Sequence, residues 1–209
     1  MALEATHLRF ALDCRDKNNV TNIGHYLAGA IYPDSRYLTK IDRQLTHNND
    51  ILRQDWADSD FKKGWQNHCW ADELQKKARN ELLGDFLALH DDGHRGIWIA
   101  ATAIKIIADI DDCRNFDVAD AVSRLEHVHN PHGEDEESIC RYHQLVRETY
   151  LGADRGQLSA YERFWLDFGV DAGLVAQVID LTKKSAADRP LVAKITGIYP
   201  LMLQLGSIK

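Results

Sequence analysis

The chain has 209 residues, 44% of them hydrophobic, enough for a sizeable core within one domain. Its formal charge of −7 comes from 32 acidic and 25 basic residues that are interspersed along the chain, which argues against a nucleic-acid backbone as partner. No run approaches the roughly 18 consecutive apolar residues of a bilayer span, and Cys14, Cys69, Cys113 and Cys140 lack CxxC spacing and follow a start with no basic-then-apolar leader, so the expectation is a soluble cytoplasmic protein with reduced, mostly buried thiols.

In chain order, apolar residues recur at helical spacing, and no convincing stretch alternates as a strand would, which predicts a single all-α domain over residues 1–209. Leu3, His7, Phe10, Ala11 and Cys14 trace one stripe of a first helix. Val20, Ile23, Leu27, Ala30 and Ile31 trace a second, which Pro33 stops because its ring disfavours helix in the residue before it. Residues 33 to about 55 read as a long irregular connection, of the kind that is usually functional or disordered. A third helix begins near Asp58 or Ser59, either a good cap, and its stripe is Phe61, Gly64, Trp65, His68, Cys69 and Asp72. Further helices are predicted around residues 79–90, 95–110, 117–128 (capped by Asp117), 135–151, 160–168, 171–184 and 190–205. Between them, His129-Asn130-Pro131-His132-Gly133 reads as an exposed loop leading into an acidic helix start, and His127, His129 and His132 read as loop residues.

Three polar side chains fall on faces that should be apolar. A carboxylate turned inward, as Asp72 is in the third helix, costs several kcal/mol unless it is paired, hydrogen-bonded, protonated or bound to a cation. His68 stands four residues before it, so the two side chains lie one above the other and can grip one ion together. His7 is a similar intruder on the inner stripe of the first helix. The chain has ten histidines, several in tight groups, and neutral imidazole is a common metal ligand.

These positions also follow a recognisable order: Thr6-His7 on an early helix, Tyr26-Leu27-Ala28-Gly29-Ala30-Ile31-Tyr32-Pro33-Asp34 at a helix end, Thr46-His47 in a connection, then Gly64, His68, Ala71 and Asp72 on one helix. The pattern resembles the zinc-dependent phospholipase C and P1-nuclease superfamily of all-helical phosphoesterases, over residues 6–73 and not in the C-terminal half. The resemblance implies that His47, His68 and Asp72 hold one zinc-like divalent ion, that Asp72 bridges to a second held by His7, and that Asp34 stands beside them as ligand or as base. Secreted members of that superfamily also use the amine of a processed N-terminal residue, whereas this sequence begins with Met1. They use a further downstream His/Glu cluster too, for which the nearest candidates are His90 and His94, with Ala78 where another histidine would be wanted. The implied metal site is therefore a reduced one of one or two ions, drawn mainly from residues 7–94.

The chemistry suits the residue types. Zinc or a similar metal accepts imidazole and carboxylate ligands and lowers the pKa of a bound water to about 7. Asp34 is the expected base, because it follows a helix end, and Arg36 and Arg43 flank the site with guanidinium forks suited to phosphate. Lys105 and Trp98 are candidates to line a pocket. The expectation is a metal-dependent hydrolase of a small-molecule or lipid phosphate ester. A second resemblance uses other residues: the adjacent His90-Asp91 pair is similar to that of the HD phosphohydrolases, with His68 upstream and Asp109 downstream as further ligands, but it leaves His7, Asp34 and His47 without a role. A third reading is a non-enzymatic helical interaction domain whose inner polar residues hydrogen-bond to one another. Neither a nucleophile elbow nor a Gly-rich phosphate-binding motif is present.

Overall fold

Asn22, Ser59, Asp117, Asp135, Asp171 and Asp188 each accept a backbone N–H at the start of a helix, and these caps divide the chain into its elements. A computed structural model describes residues 3–55, 59–126 and 129–207, and among the described residues all regular structure is helical. The helices are α1 (Glu4–Cys14), α2 (Ile23–Ile31), α3 (Arg36–Thr39), α4 (Arg43–Thr46), α5 (Asp60–Ala88), α6 (His94–Asn115), α7 (Val118–Ser123), α8 (Glu136–Leu151), α9 (Leu158–Asp167), α10 (Ala172–Ala187), α11 (Arg189–Thr196) and α12 (Ile198–Ser207). The chain is the all-α multi-helix domain that its periodicity predicts. Among those residues no helix is long and apolar enough to cross a membrane.

Four boundaries differ from expectation, one of them that of the helix expected over 117–128, which ends at Ser123. The connection after Pro33 is ordered: a 3-10 turn, Tyr32–Ser35, leads into α3 and α4, and a second 3-10 stretch covers Asn49–Arg53. Pro33 sits at the start of its turn, where its missing N–H costs nothing. α5 continues past residue 79, where the sequence predicts the start of a separate helix, and the break comes later, at a kink where Leu83 leaves helical backbone angles (φ −132°, ψ 17°). The predicted last helix is two, because the chain turns at Gly197. Asp58 lies outside the described residues, and Ser59 is the cap observed for α5. All four cysteines are free thiols; Cys14 and Cys69 are buried, Cys113 is half-buried and Cys140 is exposed.

α1 is buried on almost every face, well beyond its predicted stripe, and separates two apolar clusters. Its polar residues are therefore met by partners. The Thr6 N–H donates to Asp109 (3.2 Å) and the Thr6 hydroxyl to Asp112 (2.5 Å), while Arg9 pairs with the other oxygen of Asp112 (2.6 Å). Asp109 also accepts from the hydroxyls of Tyr150 (2.7 Å) and Tyr161 (2.8 Å). Glu4 contacts the Tyr142 hydroxyl (3.1 Å), which also reaches the Ile31 carbonyl (2.9 Å). These bonds tie α1 to α6, α8 and α9 and fix its rotation, so that His7 faces α5.

α2 and α5 approach more closely than side chains would allow. A Cβ on Gly64 would stand 1.9 Å from the Tyr26 carbonyl oxygen, and one on Gly29 would stand 1.9 Å from that of Phe61. Only glycine fits at either position, since neighbouring backbone rather than a movable side chain occupies the space. This contact brings the last turn of α2 against the face of α5 that carries His68.

Candidate metal centre

Five side chains from four segments of the chain meet at that contact: His7 from α1, Asp34 from the turn after α2, His47 from the end of α4, and His68 and Asp72 from α5. His7 Nε2 lies 3.6 Å from Asp72 Oδ1 and 4.0 Å from Asp34 Oδ2. His47 Nε2 lies 3.7 Å from both Asp34 Oδ1 and Asp72 Oδ2, and 3.3 Å from His68 Nε2. His68 Nε2 is 3.9 Å from Asp72 Oδ2, and the rings of His7 and His68 stack at 3.7 Å. The imidazole–carboxylate separations exceed hydrogen-bond length. They resemble the spacing of ligand atoms that share a cation, which stand about 3.3–3.5 Å apart on a tetrahedral zinc with bonds of about 2.0–2.1 Å.

The outer nitrogens of two histidines are held by the protein. His68 Nδ1 donates to the Ala30 carbonyl at 2.8 Å, so its Nε2 turns a lone pair to the centre. His47 Nδ1 meets the Thr46 hydroxyl at 2.8 Å, and that hydroxyl also reaches the Arg43 carbonyl at 3.3 Å; with the hydroxyl donating to the carbonyl, Nδ1 donates to the hydroxyl and Nε2 is again the free base. His7 is 1% exposed, and neither of its nitrogens has a hydrogen-bond partner among the described residues; Asp34 Oδ1 is equally orphaned. Unpartnered buried groups of opposite polarity costs free energy that a bound cation would recover.

The electrostatics point the same way. Burial holds the pKa of His7 well below the ordinary histidine value, reinforced by His68, and burial lowers that of His68 as well. Burial alone would raise the carboxyls of Asp34 and Asp72, but neighbouring groups, the facing His47, His68 and His7 among them, outweigh it and hold both below the usual range. Ionised carboxylates among buried imidazoles form a ligand set that attracts a divalent ion. His7, His68 and Asp72 can hold one together, as can Asp34, His47 and His68.

Two cavities flank the cluster. The larger, about 700 Å³, is reached by Asp72 and His47 and carries Arg43, Lys76, Arg79 and Lys105 on its walls. The smaller, about 310 Å³, is reached by Asp34 and has Tyr37, Trp98, Phe164, Trp165 and Phe168 in its lining. Arg43 and Lys105 line both. In a chain of net charge −7, four cationic side chains gather around one opening, beside the acidic Asp72 and Glu73.

No family model matches the chain, and no curated protein or solved structure matches it.

The structure thus brings together His7, Asp34, His47, His68 and Asp72, with Arg36 on the smaller cavity and Arg43 on both. Other expected positions lie elsewhere. His90 and His94, the candidates for a downstream cluster, line neither cavity; they follow the far end of α5, about five helical turns beyond Asp72, where His90 Nδ1 bonds the Phe86 carbonyl at 2.8 Å. Asp91 is exposed in that same connection, and Asp109 is fully buried among Thr6, Tyr150 and Tyr161, so the HD-type set of His68, His90, Asp91 and Asp109 does not assemble. Asp34 is not on an open loop but buried in a 3-10 turn. His129 packs on Phe61 and His132 near Trp65, away from the centre, and His127 lies outside the described residues. Lys76 and Arg79 went unrecognised in the sequence, although they stand four and seven residues after Asp72, the spacing of one helical face.

Proposed function

We propose that the protein is a metal-dependent hydrolase of phosphate esters. The observation that carries this reading is the convergence of three imidazoles and two carboxylates, with His7 and one oxygen of Asp34 left without internal partners, beneath an opening ringed by cationic side chains. His47, His68, Asp72, His7 and Asp34 would hold the ion or ions, for which zinc suits the donor set. A divalent cation there supplies Lewis acidity and brings the pKa of a coordinated water to about 7. The resemblance of residues 6–73 to the phospholipase C and P1-nuclease superfamily supports the same ligand set.

The chain's own groups divide the remaining work. Arg43 and Lys105, shared by the two cavities, orient an anionic ester at their seam and offset its charge. Asp34, facing the smaller cavity with one oxygen unbonded, is placed to accept a proton. Ala30 and Thr46 keep His68 and His47 in the orientation that presents Nε2.

The test is elemental analysis of the purified full chain for zinc, manganese, iron and nickel, followed by assays on 4-nitrophenyl phosphate and bis(4-nitrophenyl) phosphate with each metal added. Bound metal that falls in His47→Ala and Asp72→Asn but not in Asp91→Ala, with hydrolysis falling alongside, is the expected result. Metal that survives His47→Ala, or no turnover with any metal, overturns it.

A further inference from the structure

The smaller cavity is built differently from its neighbour. Its walls come from Tyr37 on α3, Trp98 on α6, Phe164 and Trp165 on α9, and Phe168 just after α9. The rings meet at steep angles, Tyr37 with Trp165 at 84° and Trp98 with Trp165 at 75°, as aromatic clusters prefer. Ionisable side chains share the lining, Glu4, Asp34, Arg36, Arg43 and Lys105, and Asp34 belongs to the metal centre.

Two donors on this wall are unanswered. Trp165 is 5% exposed, and its indole N–H has no partner among the described residues. Arg36 Nε is likewise buried without one, its guanidinium lying over the Tyr37 ring at 4.3 Å. A buried indole N–H almost always finds an acceptor, and an unmatched one on a residue that lines a cavity leaves room for an acceptor brought by a ligand.

We propose that this cavity is the subsite for the organic group of the phosphate ester, and that the group is a compact planar ring bearing a hydrogen-bond acceptor. The proposal rests on the phosphoesterase reading for the phosphate end. Its size is at the small end for ligand pockets, which suits a single ring system rather than a long chain. Arg43 and Lys105 place the phosphate at the seam between the two cavities, with the ring on the aromatic side and any further anionic groups on the side of Lys76 and Arg79.

The experiment is calorimetric titration of the full chain with four non-hydrolysable probes: cyclohexylphosphonate, phenylphosphonate, and 3- and 4-acetylphenylphosphonate. Phenylphosphonate should bind about 2- to 12-fold tighter than the cyclohexyl compound. At least one acetyl isomer should gain a further factor of about 2 to 12 over phenyl. Trp165→Phe, which keeps a ring and deletes the N–H, should abolish the acetyl gain, and Trp98→Leu on the half-exposed wall should abolish the ring preference. Equal binding of ring and cyclohexyl probes, an acetyl gain untouched by Trp165→Phe, or no binding at all overturns the proposal. Binding is read without turnover, so the two readings fail separately. A protein that selects rings yet hydrolyses nothing keeps the subsite and loses the activity, and one that hydrolyses esters without ring selection does the reverse.

Discussion

His68 gives its Nδ1 proton to the Ala30 carbonyl at 2.8 Å, and this one bond joins the end of α2 to the ligand face of α5. A carbonyl can only accept, so the contact sets the tautomer as well as the ring's direction. It depends on the glycine pair that lets the helices approach. Gly64→Ala would drive a methyl into the Tyr26 carbonyl, and backbone on both sides leaves little room to yield. The expected cost is about 3 kcal/mol of stability, read as a lower midpoint in urea unfolding, together with lost metal binding. An unchanged midpoint would show that the two helices are not held at this distance.

Asp34 and Asp72 stand around the same histidines; burial opposes the ionisation of Asp72, but neighbouring groups outweigh it and hold its carboxyl below the usual range, so the charged side chain favours the folded state. Asp72→Asn should therefore lower the stability of the metal-free protein. The same change should remove the stabilisation that metal gives, about 2.7 kcal/mol when free metal is a hundredfold above its dissociation constant. Thermal unfolding with and without zinc, on both proteins, measures the two effects. A metal-dependent stabilisation of equal size in both proteins would mean that Asp72 does not hold the ion.

Three of the five candidate ligands were legible because each breaks a local rule, whereas Asp34 and His47 are indicated only by the resemblance over residues 6–73. His7, His68 and Asp72 are polar where the helical period demands apolar residues, and that conflict shows in a single sequence. The fold class was legible for the same reason, since its helices keep their period. The second wall of the site was not. Phe164, Trp165 and Phe168 look like ordinary core residues of α9, and their role depends on the packing of α9 beside α3 and α6, which no spacing along the chain encodes. The adjacent His90-Asp91 pair misled in the opposite direction, because adjacency in sequence does not bring a downstream carboxylate near; Asp109 is taken up by two tyrosines and the Thr6 amide.

Arg43 lines both cavities, so it should act on any ester irrespective of the organic group. Arg43→Ala is expected to raise KM by about 10- to 100-fold, the range for losing a charge-assisted hydrogen bond, with a similar loss in inhibition by inorganic phosphate. Arg43→Lys should recover part of this, because it keeps the charge and loses the fork. If KM stays within a factor of two in Arg43→Ala, the substrate anion sits elsewhere.

Asp109 predicts how stability changes with pH. Burial pushes its carboxyl up to about 7, against the hydrogen bonds from Tyr150, Tyr161 and Thr6, which favour the ionised form. Below its unfolded value of about 3.9 both states carry the proton, and the full contribution is present. As pH rises from there towards 7, the unfolded chain releases the proton while the folded one retains it, so stability falls across this window. Asp60 works in the opposite sense: burial opposes its ionisation, but hydrogen bonds from Asn22 and Thr21 outweigh that and lower its pKa, so its contribution is lost only as the medium becomes acid. The total pH profile mixes such terms, and a difference between two proteins isolates one of them. Asp109→Asn keeps the shape and cannot ionise, so its stability relative to wild type should rise between pH 4 and pH 8 by about 2–4 kcal/mol. Urea unfolding of both proteins at pH 4, 5.5, 7 and 8 gives that difference directly. A gap that stays flat across the series would mean that Asp109 is ionised in the folded core, with the two tyrosines and the Thr6 amide sufficient to hold a buried charge.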